Sequence, residues 1–364
     1  MTAPPLPDIF NRKRPATPPI SMITFFNLLS LFFCLVFCQR STEPLSNNNG
    51  LDTTSHNFTW EIDTIGTRSS SLSDVAIIDK NNIWAVGEIY TEEQKPYNAV
   101  HWNGKEWKLK RLFSDKVISP VRGIWAISDN NMWLAAGSIY HWDGNKANLS
   151  YLRDIGTNEL VQKLWYINEN DIYGVGTEGI IVHYNGQTWQ RLDSGTDIDI
   201  QDIWGGKNQE TGEDEILAIA SLRNYGRGLA LLMIDGERVI HLDTTGLHVN
   251  QSSIWFSPNN KYYISGNGVF KKEKISDSSE WFKLTGHPDT YKYSIRGNTY
   301  NDIFIVGSFG LVSHYNGSSW KHYSNIEWPS FYGAWYKCSV TPDIVVAVGT
   351  LAGLNGLILR GYRN

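Results

Sequence analysis

Asp171-Ile-Tyr-Gly-Val-Gly-Thr-Glu-Gly-Ile-Ile-Val-His-Tyr-Asn-Gly-Gln-Thr-Trp189 is the stretch that decides the fold. Ile180–Tyr184 is a β-branched and aromatic run, the composition of a strand. Asn185-Gly186 follows at once and matches a two-residue hairpin turn, whose central residues need positive φ. Thr188–Leu192 then alternates as the return strand. Upstream, Ile172–Val175 reads as a strand stopped by Gly176, and Leu164–Ile167 as the strand before it. The unit is a four-stranded antiparallel meander. Asp302–Trp320 writes it again, with Asp-Ile-Phe-Ile-Val-Gly and His-Tyr-Asn-Gly-Ser-Ser-Trp in the same places.

Weaker copies fill the rest of the chain. Aligned on the Trp of the first strand, they carry Trp125, Trp165, Trp204, Trp255 and Trp335, with Ala76 and Arg296 at the matching place in the first and sixth. The spacings run from 39 to 51 residues, a period typical of four-stranded blades. The Asn-Gly or Asp-Gly turn recurs at Asn103, Asp143, Asn185, Asp235 and Asn316; the fifth copy lacks it but keeps Trp281. That makes seven copies. The last stops after its third strand, Gly356–Tyr362, while Asn57–Ile62 stands alone ahead of the first. Pairing these two closes the ring and hides an edge that would recruit other chains. The reading is an all-β, seven-bladed β-propeller over residues 57–364.

Tyr-Asn-Gly-Gln-Thr-Trp and Tyr-Asn-Gly-Ser-Ser-Trp resemble degenerate forms of the Asp-box turn of sialidase-type propellers. The wider pattern, Asp-Ile-x-x-Val-Gly and then His-Tyr-Asn-Gly-x-x-Trp, resembles repeats of exported bacterial propellers of the surface-lipoprotein kind. The resemblance implies an architecture and spans nearly the whole mature chain. A sialidase-like enzyme would add an arginine cluster, a Tyr–Glu pair and an acid on one face; Arg122, Arg223, Arg227 and Arg296 are the arginines such a cluster would draw on.

The N-terminus stands outside the repeat. Residues 1–21 are Pro-rich and hold Arg12-Lys13-Arg14. Ile23–Phe37 is a fifteen-residue apolar run interrupted by Thr24, Asn27, Ser30 and Cys34. That length suits a signal-peptide core better than a membrane span. Cys38 stands where a bacterial lipoprotein carries its lipid, although Phe37 replaces the usual small residue; an uncleaved anchor and plain secretion are the alternatives. The start lies at Met1 or Met22. Residues 1–38 therefore read as a signal and 39–56, polar and rich in Ser, Thr and Asn, as a flexible tether. The expected place is the outer membrane or cell surface, with the periplasm or medium as alternatives.

Cys34 and Cys38 fall in the signal, so Cys338 is alone in the domain, and neither an internal disulfide nor a Cys-based metal site can form. The formal charge is −5, and the basic run sits in the signal, so the domain is acidic and a nucleic-acid partner is not expected. Four Asn-x-Ser/Thr sequons, at Asn57, Asn148, Asn250 and Asn316, read as chance in a bacterial-type chain.

Candidate sites follow from residues that break the repeat. Arg296 places a charge near the ring axis, where it needs a partner, water or a ligand. Asp197 and Asp199 share one side of an extended segment, as paired carboxylates for acid–base work or calcium do; a solvated polar loop is the plainer reading. The insertion Ser221–Gly228 holds Arg223, Tyr225 and Arg227, and the inter-blade connections hold Tyr291, Tyr293, Trp328 and Tyr332. Together these form a candidate platform for carbohydrate or peptide. The recurrent Trp residues read as packing between blades. His101, His141, His183 and His314 recur at one place in different blades, too far apart for a shared zinc site, and read as packing beside the hairpin turn.

No phosphate-cradling loop, nucleophile elbow or metal-binding His pair occurs. No catalytic residue, metal or cofactor is expected. The function expected is a non-enzymatic, monomeric envelope propeller that binds a glycan or an envelope protein through one ring face. The alternatives are a polysaccharide hydrolase or lyase, in which Asp197 or Asp199 would lie within reach of Arg223, Arg227 or Arg296, and a purely structural assembly component.

Overall fold

The structure is a computed structural model that describes residues 53–93, 95–113, 120–222, 228–326, 333–351 and 354–364. These residues form seven four-stranded antiparallel sheets. Their first strands are Ser71–Asp79, Gly123–Ser128, Val161–Asn168, Ile200–Lys207, Gln251–Phe256, Lys292–Thr299 and Gly333–Val340, here blades 1 to 7. First strands of successive blades pack on one another right round the ring, blade 7 against blade 1 included. The seventh sheet is completed by the chain's N-terminal strand, Phe58–Ile65, which pairs with Gly356–Arg363 from Phe58↔Arg363 to Ile65↔Gly356. The isolated strand and the unfinished blade therefore close the ring as expected.

Seven apolar clusters hold the ring, and each spans two neighbouring blades. The second strands are covered on both faces, which is why they read as unbroken apolar runs such as Ile83–Val86 and Ile303–Val306. Each large apolar side chain so buried contributes about 1.5–3 kcal/mol. A glycine stands at or near the end of four of these strands for a steric reason. Gly87, Gly176, Gly307 and Gly349 each face the start of the first strand so closely that a Cβ would lie 1.8 to 2.1 Å from a carbonyl oxygen.

That close approach accompanies a β-bulge. In six blades the register between first and second strands slips after Leu72, Val161, Ile200, Gln251, Lys292 and Trp335. The bulge corrects one alignment. Trp335 lies before its bulge, paired with Gly349 and wholly buried between blades 6 and 7, whereas Trp165, Trp204 and Trp255 lie after theirs. Counted from the bulge, Ser339 occupies the Trp position of blade 7.

The hairpin turns differ from expectation too. Asn103, Asp143, Asn185 and Asn316 do not adopt positive φ; only the following glycines do, at 87° to 92°. Each instead opens a four-residue loop, between pairs such as Tyr184↔Trp189 and Tyr315↔Trp320. Its side-chain oxygen accepts the N–H groups two and three residues on, as Asn185 does from Gln187 and Thr188 at 3.1 and 3.0 Å. The Asx residue is conformationally a cap. Only Asp235-Gly236 belongs to a two-residue loop, closed by Asp235↔Arg238.

Candidate functional site

The residue after each bulge points to the hub. Contacts prove it, since side chains from non-adjacent blades can meet only at the axis. Lys163 of blade 3 donates from Nζ to Asp74 Oδ2 of blade 1 at 2.7 Å. Asp202 of blade 4 takes a two-pronged bond from Arg296 of blade 6, NH1 to Oδ2 and NH2 to Oδ1, both 2.8 Å. Lys337 Nζ of blade 7 stands 3.9 Å from Asp202 Oδ1. Ser253 and Ser294 fill the corresponding places in blades 5 and 6.

The same residues stitch each blade to the next. Asp74 Oδ2 accepts from Ile124 N at 3.1 Å, Asp202 Oδ2 from Ile254 N at 3.1 Å, Ser253 Oγ from Ile295 N at 3.2 Å and Ser294 Oγ from Cys338 N at 3.4 Å. Polar residues are buried here because their oxygens satisfy backbone donors that would otherwise be orphaned. Arg296 also donates to Ser253 Oγ and to the Ile254 and Ile295 carbonyls, with its guanidinium 4.9 Å above the Trp204 ring. Burial alone would raise the Asp202 pKa, but the Arg296 and Lys337 charges outweigh it and hold the carboxyl below the usual range. Lys337 is pushed down to about 8, by burial first, with Asp202 opposing. Its Nζ has no hydrogen-bond acceptor among the described residues.

The bulged residues themselves, one place nearer the inter-blade loops, ring the mouth of the hub. Going round, they are Tyr293, Tyr336, Ser73, Gln162, Gln201 and Ser252, with Arg122 at the matching place in blade 2; Ser252 is buried and donates to the Ser265 and Lys292 carbonyls, and Gln201 donates to those of Asp199 and Ser221. The Tyr291 and Tyr293 rings lie 4.8 Å apart, and Tyr293 and Tyr336 meet edge-on at 5.3 Å.

Of the other sequence candidates, Asp197 is exposed and Asp199 Oδ1 accepts from the Glu178 N–H at 3.0 Å. Neither is a partner of Arg296. Cys38, Arg223, Tyr225, Arg227, Trp328 and Tyr332 lie outside the described residues. Trp125, Trp165 and Trp204 form a continuous aromatic run around the inner strands, with rings 4.8 Å apart. Asp74, Lys163 and Lys337 were missed. Their signal was present for two of them, because Asp74 and Lys163 stand two places before Ala76 and Trp165, as Asp202 does before Trp204.

The four histidines have a shared structural role. Each stacks on the aromatic residue paired with it across the second strand, Trp84, Trp133, Tyr173 or Phe304, with centroids 4.2 to 4.7 Å apart. Each Nε2 bonds Asn82, Asn131, Asp171 or Asp302, at 2.7 to 3.0 Å. Among the described residues no group of three His, Cys, Asp or Glu could hold a metal ion.

In blade 6 this motif extends to the entering chain. His314 Nε2–H donates to Asp302 Oδ1, so its Nδ1 accepts from His56 Nδ1–H at 2.9 Å. Arg363 holds the other Asp302 oxygen at 2.6 Å, and Tyr323 donates to the His56 carbonyl. His56 is pushed down to about 4, by burial first and then by His314 and Lys321. Its folded pKa thus lies below the unfolded value near 6.5, so its contribution is complete above about pH 6.5 and is lost as pH falls toward 4. Protection of the amides of residues 55–58 against hydrogen exchange, relative to the intrinsic rate at each pH, is expected to fall between pH 6.5 and 4.5, while the blade cores stay protected. His56→Gln should flatten that dependence; an unchanged profile would refute the assignment.

The chain matches no protein-family model and no curated protein. Solved structures do resemble it. The structure described as YCF48 bound to D1 peptide is 15% identical and covers 88% of this chain and 100% of its own, with a TM-score of 0.64. YCF48 from Cyanidioschyzon merolae is 12% identical over 83% of this chain and 98% of its own, at 0.61. The WD40 propeller domain of Doa1 is 11% identical over 82% and 96%, at 0.60. What the chain shares with them at these identities is the β-propeller fold.

Proposed function

We propose that the chain is a non-enzymatic binding propeller of the cell envelope, acting as a monomer tethered through a lipid on Cys38, and that it holds a segment of an envelope protein on the face bearing the inter-blade loops. The observation that carries this is the state of the hub. Arg296 and Asp202, the groups best suited to chemistry, satisfy one another, while two adjacent bulges bring Tyr293 and Tyr336 into contact at the loop end of the hub. Bulges re-aim side chains in this way beside binding sites. The neighbouring structure of YCF48 with a D1 peptide is a propeller of similar shape holding a protein segment. A glycan is the second reading, favoured by the Tyr291–Tyr293–Tyr336 cluster, because aromatic rings stack on sugars as well as on peptides.

A photo-crosslinking residue at Tyr293, introduced into the full chain in native membranes, tests the reading. A discrete protein adduct, competed away by added propeller domain, is expected. Absence of any adduct together with a thermal shift by cell-wall glycans would move the function to the second reading. Metabolic labelling with an alkynyl fatty acid tests the tether. The label is expected on the wild type and lost in Cys38→Ser; a label that persists in the variant, or never appears, removes the lipid anchor.

A further inference from the structure

The hub carries unequal charge. Lys163, Arg296 and Lys337 meet two carboxylates there, Asp74 and Asp202. Asp74 is matched by Lys163 and Asp202 by the fork of Arg296, which leaves the Lys337 ammonium in excess. Lys337 Nζ is buried and has no hydrogen-bond acceptor among the described residues, with Asp202 Oδ1 3.9 Å away. A charge in such a low-dielectric setting acts at longer range than it would in water. The mouth above it adds Arg122, whose residue is exposed, to the same sign. This is a positive spot on a domain that is otherwise acidic.

Beside it lies apolar surface. Tyr293 and Tyr336 are neighbours in the rim, and Ser73 and then Arg122 follow them round the ring. Phe309, in the loop after the second strand of blade 6, is 44% exposed and holds φ at 60°. That backbone conformation is unfavourable for a bulky side chain. Its N–H is bonded to the Gly333 carbonyl at 2.9 Å, so blade 7 fixes the loop that presents the ring.

We propose that this mouth receives a carboxylate carried on a peptide, with the carboxylate over the hub beside Arg122 and a flanking apolar side chain on the Tyr293–Tyr336–Phe309 side. The proposal rests on the binding reading above and names the chemistry of its partner. Charge complementarity selects the occupant. A neutral or basic segment gains nothing from the excess ammonium, whereas an anionic group gains at a distance without having to reach Nζ. Residues 54–56 dock at the opposite end of blade 6, against Asn301, His314 and Ser319, and leave the mouth clear.

Three fluorescent decapeptides of one apolar, Phe-containing sequence separate the sources of the carboxylate. One has two internal Glu and an amidated end, one has no Glu and a free C-terminus, and one has neither. Anisotropy with the purified propeller is expected to favour at least one acidic peptide over the uncharged one by about tenfold at low salt, since steering of this kind is strongly salt-dependent. Arg122→Ala and Lys337→Met should each reduce that preference by roughly 3- to 10-fold and leave the uncharged peptide unaffected. Whichever acidic peptide wins identifies a side-chain or terminal carboxylate. Equal binding of all three, or a preference untouched by both variants, overturns the proposal. A protein adduct at Tyr293 that survives in Arg122→Ala and Lys337→Met overturns it too, while keeping the binding reading. Because Arg122 is exposed, Arg122→Ala decides the question even if Lys337→Met fails to fold.

Discussion

Asp202→Ala is expected to destabilise the propeller by about 3–5 kcal/mol, the usual cost of breaking a buried ion pair from one side. The carboxylate does more than match Arg296. It also accepts from Ser253 Oγ and from the Ile254 N–H, and it is the only carboxylate within 4 Å of Lys337 among the described residues. Its removal strands two cations and a backbone donor in the centre of the ring. A fall in Tm of roughly 6–20 °C should follow, read by calorimetry at pH 7. Asp202→Ala combined with Arg296→Met should recover a good part of the loss, because the penalty comes chiefly from the unpaired guanidinium. Lys337→Met alone should be neutral or mildly stabilising. A single Asp202→Ala variant melting within a degree or two of the wild type would show that the hub is hydrated and that the pair is not structural.

Deleting residues 53–65 is expected to exceed the whole stability margin, which for domains is about 5–15 kcal/mol. The strand supplies a full ladder of eight residue pairs to blade 7. Phe58 and Trp60 pack edge-on against Phe304 and Tyr323, at 5.2 and 4.9 Å. Arg360 is buried and lies 3.9 Å from the Trp102 ring, and it would lose its carboxylates Asp63 and Glu61, at 2.8 and 2.9 Å. Asp63 also accepts from Trp107 Nε1 of blade 1, so it bridges the seam itself. A chain starting at residue 67 should therefore aggregate through the bare Gly356–Arg363 edge. A synthetic 53–66 peptide added during refolding should restore a soluble monomer. A sharp, soluble melt without the peptide would mean that the seam is dispensable.

The fold was legible because each blade must bury both faces of its second strand and turn tightly at the same points, so apolar runs, Gly176-type stops and Asx-Gly pairs recur together. Arg296 was legible as an exception for the same reason. Its partner was harder to assign. Asp202 stands close in sequence to Asp197 and Asp199, yet the bulge after Ile200 separates them, sending one carboxylate to the axis and leaving Asp197 in solvent. A bulge leaves no compositional mark; only the spacing from Asp74 to Ala76, or from Lys163 to Trp165, could have disclosed the register. Trp335 misled for the complementary reason, since a Trp before the bulge looks identical in sequence to one after it. The hairpin loops were placed correctly but mistyped, because Asn-Gly serves both as a left-handed pair and as a cap with its glycine.

The entry seam sets an orientation. Thr54 and His56 dock at the turn that ends the first strand of blade 6, near Asn301, whereas Lys292, Tyr293 and the mouth stand at that strand's other end. Chain entry and mouth are therefore on opposite poles of the ring axis. A segment held at the mouth and the strand that closes the ring therefore act at separate ends of the domain, so filling the mouth leaves the closing contacts of Thr54 and His56 untouched.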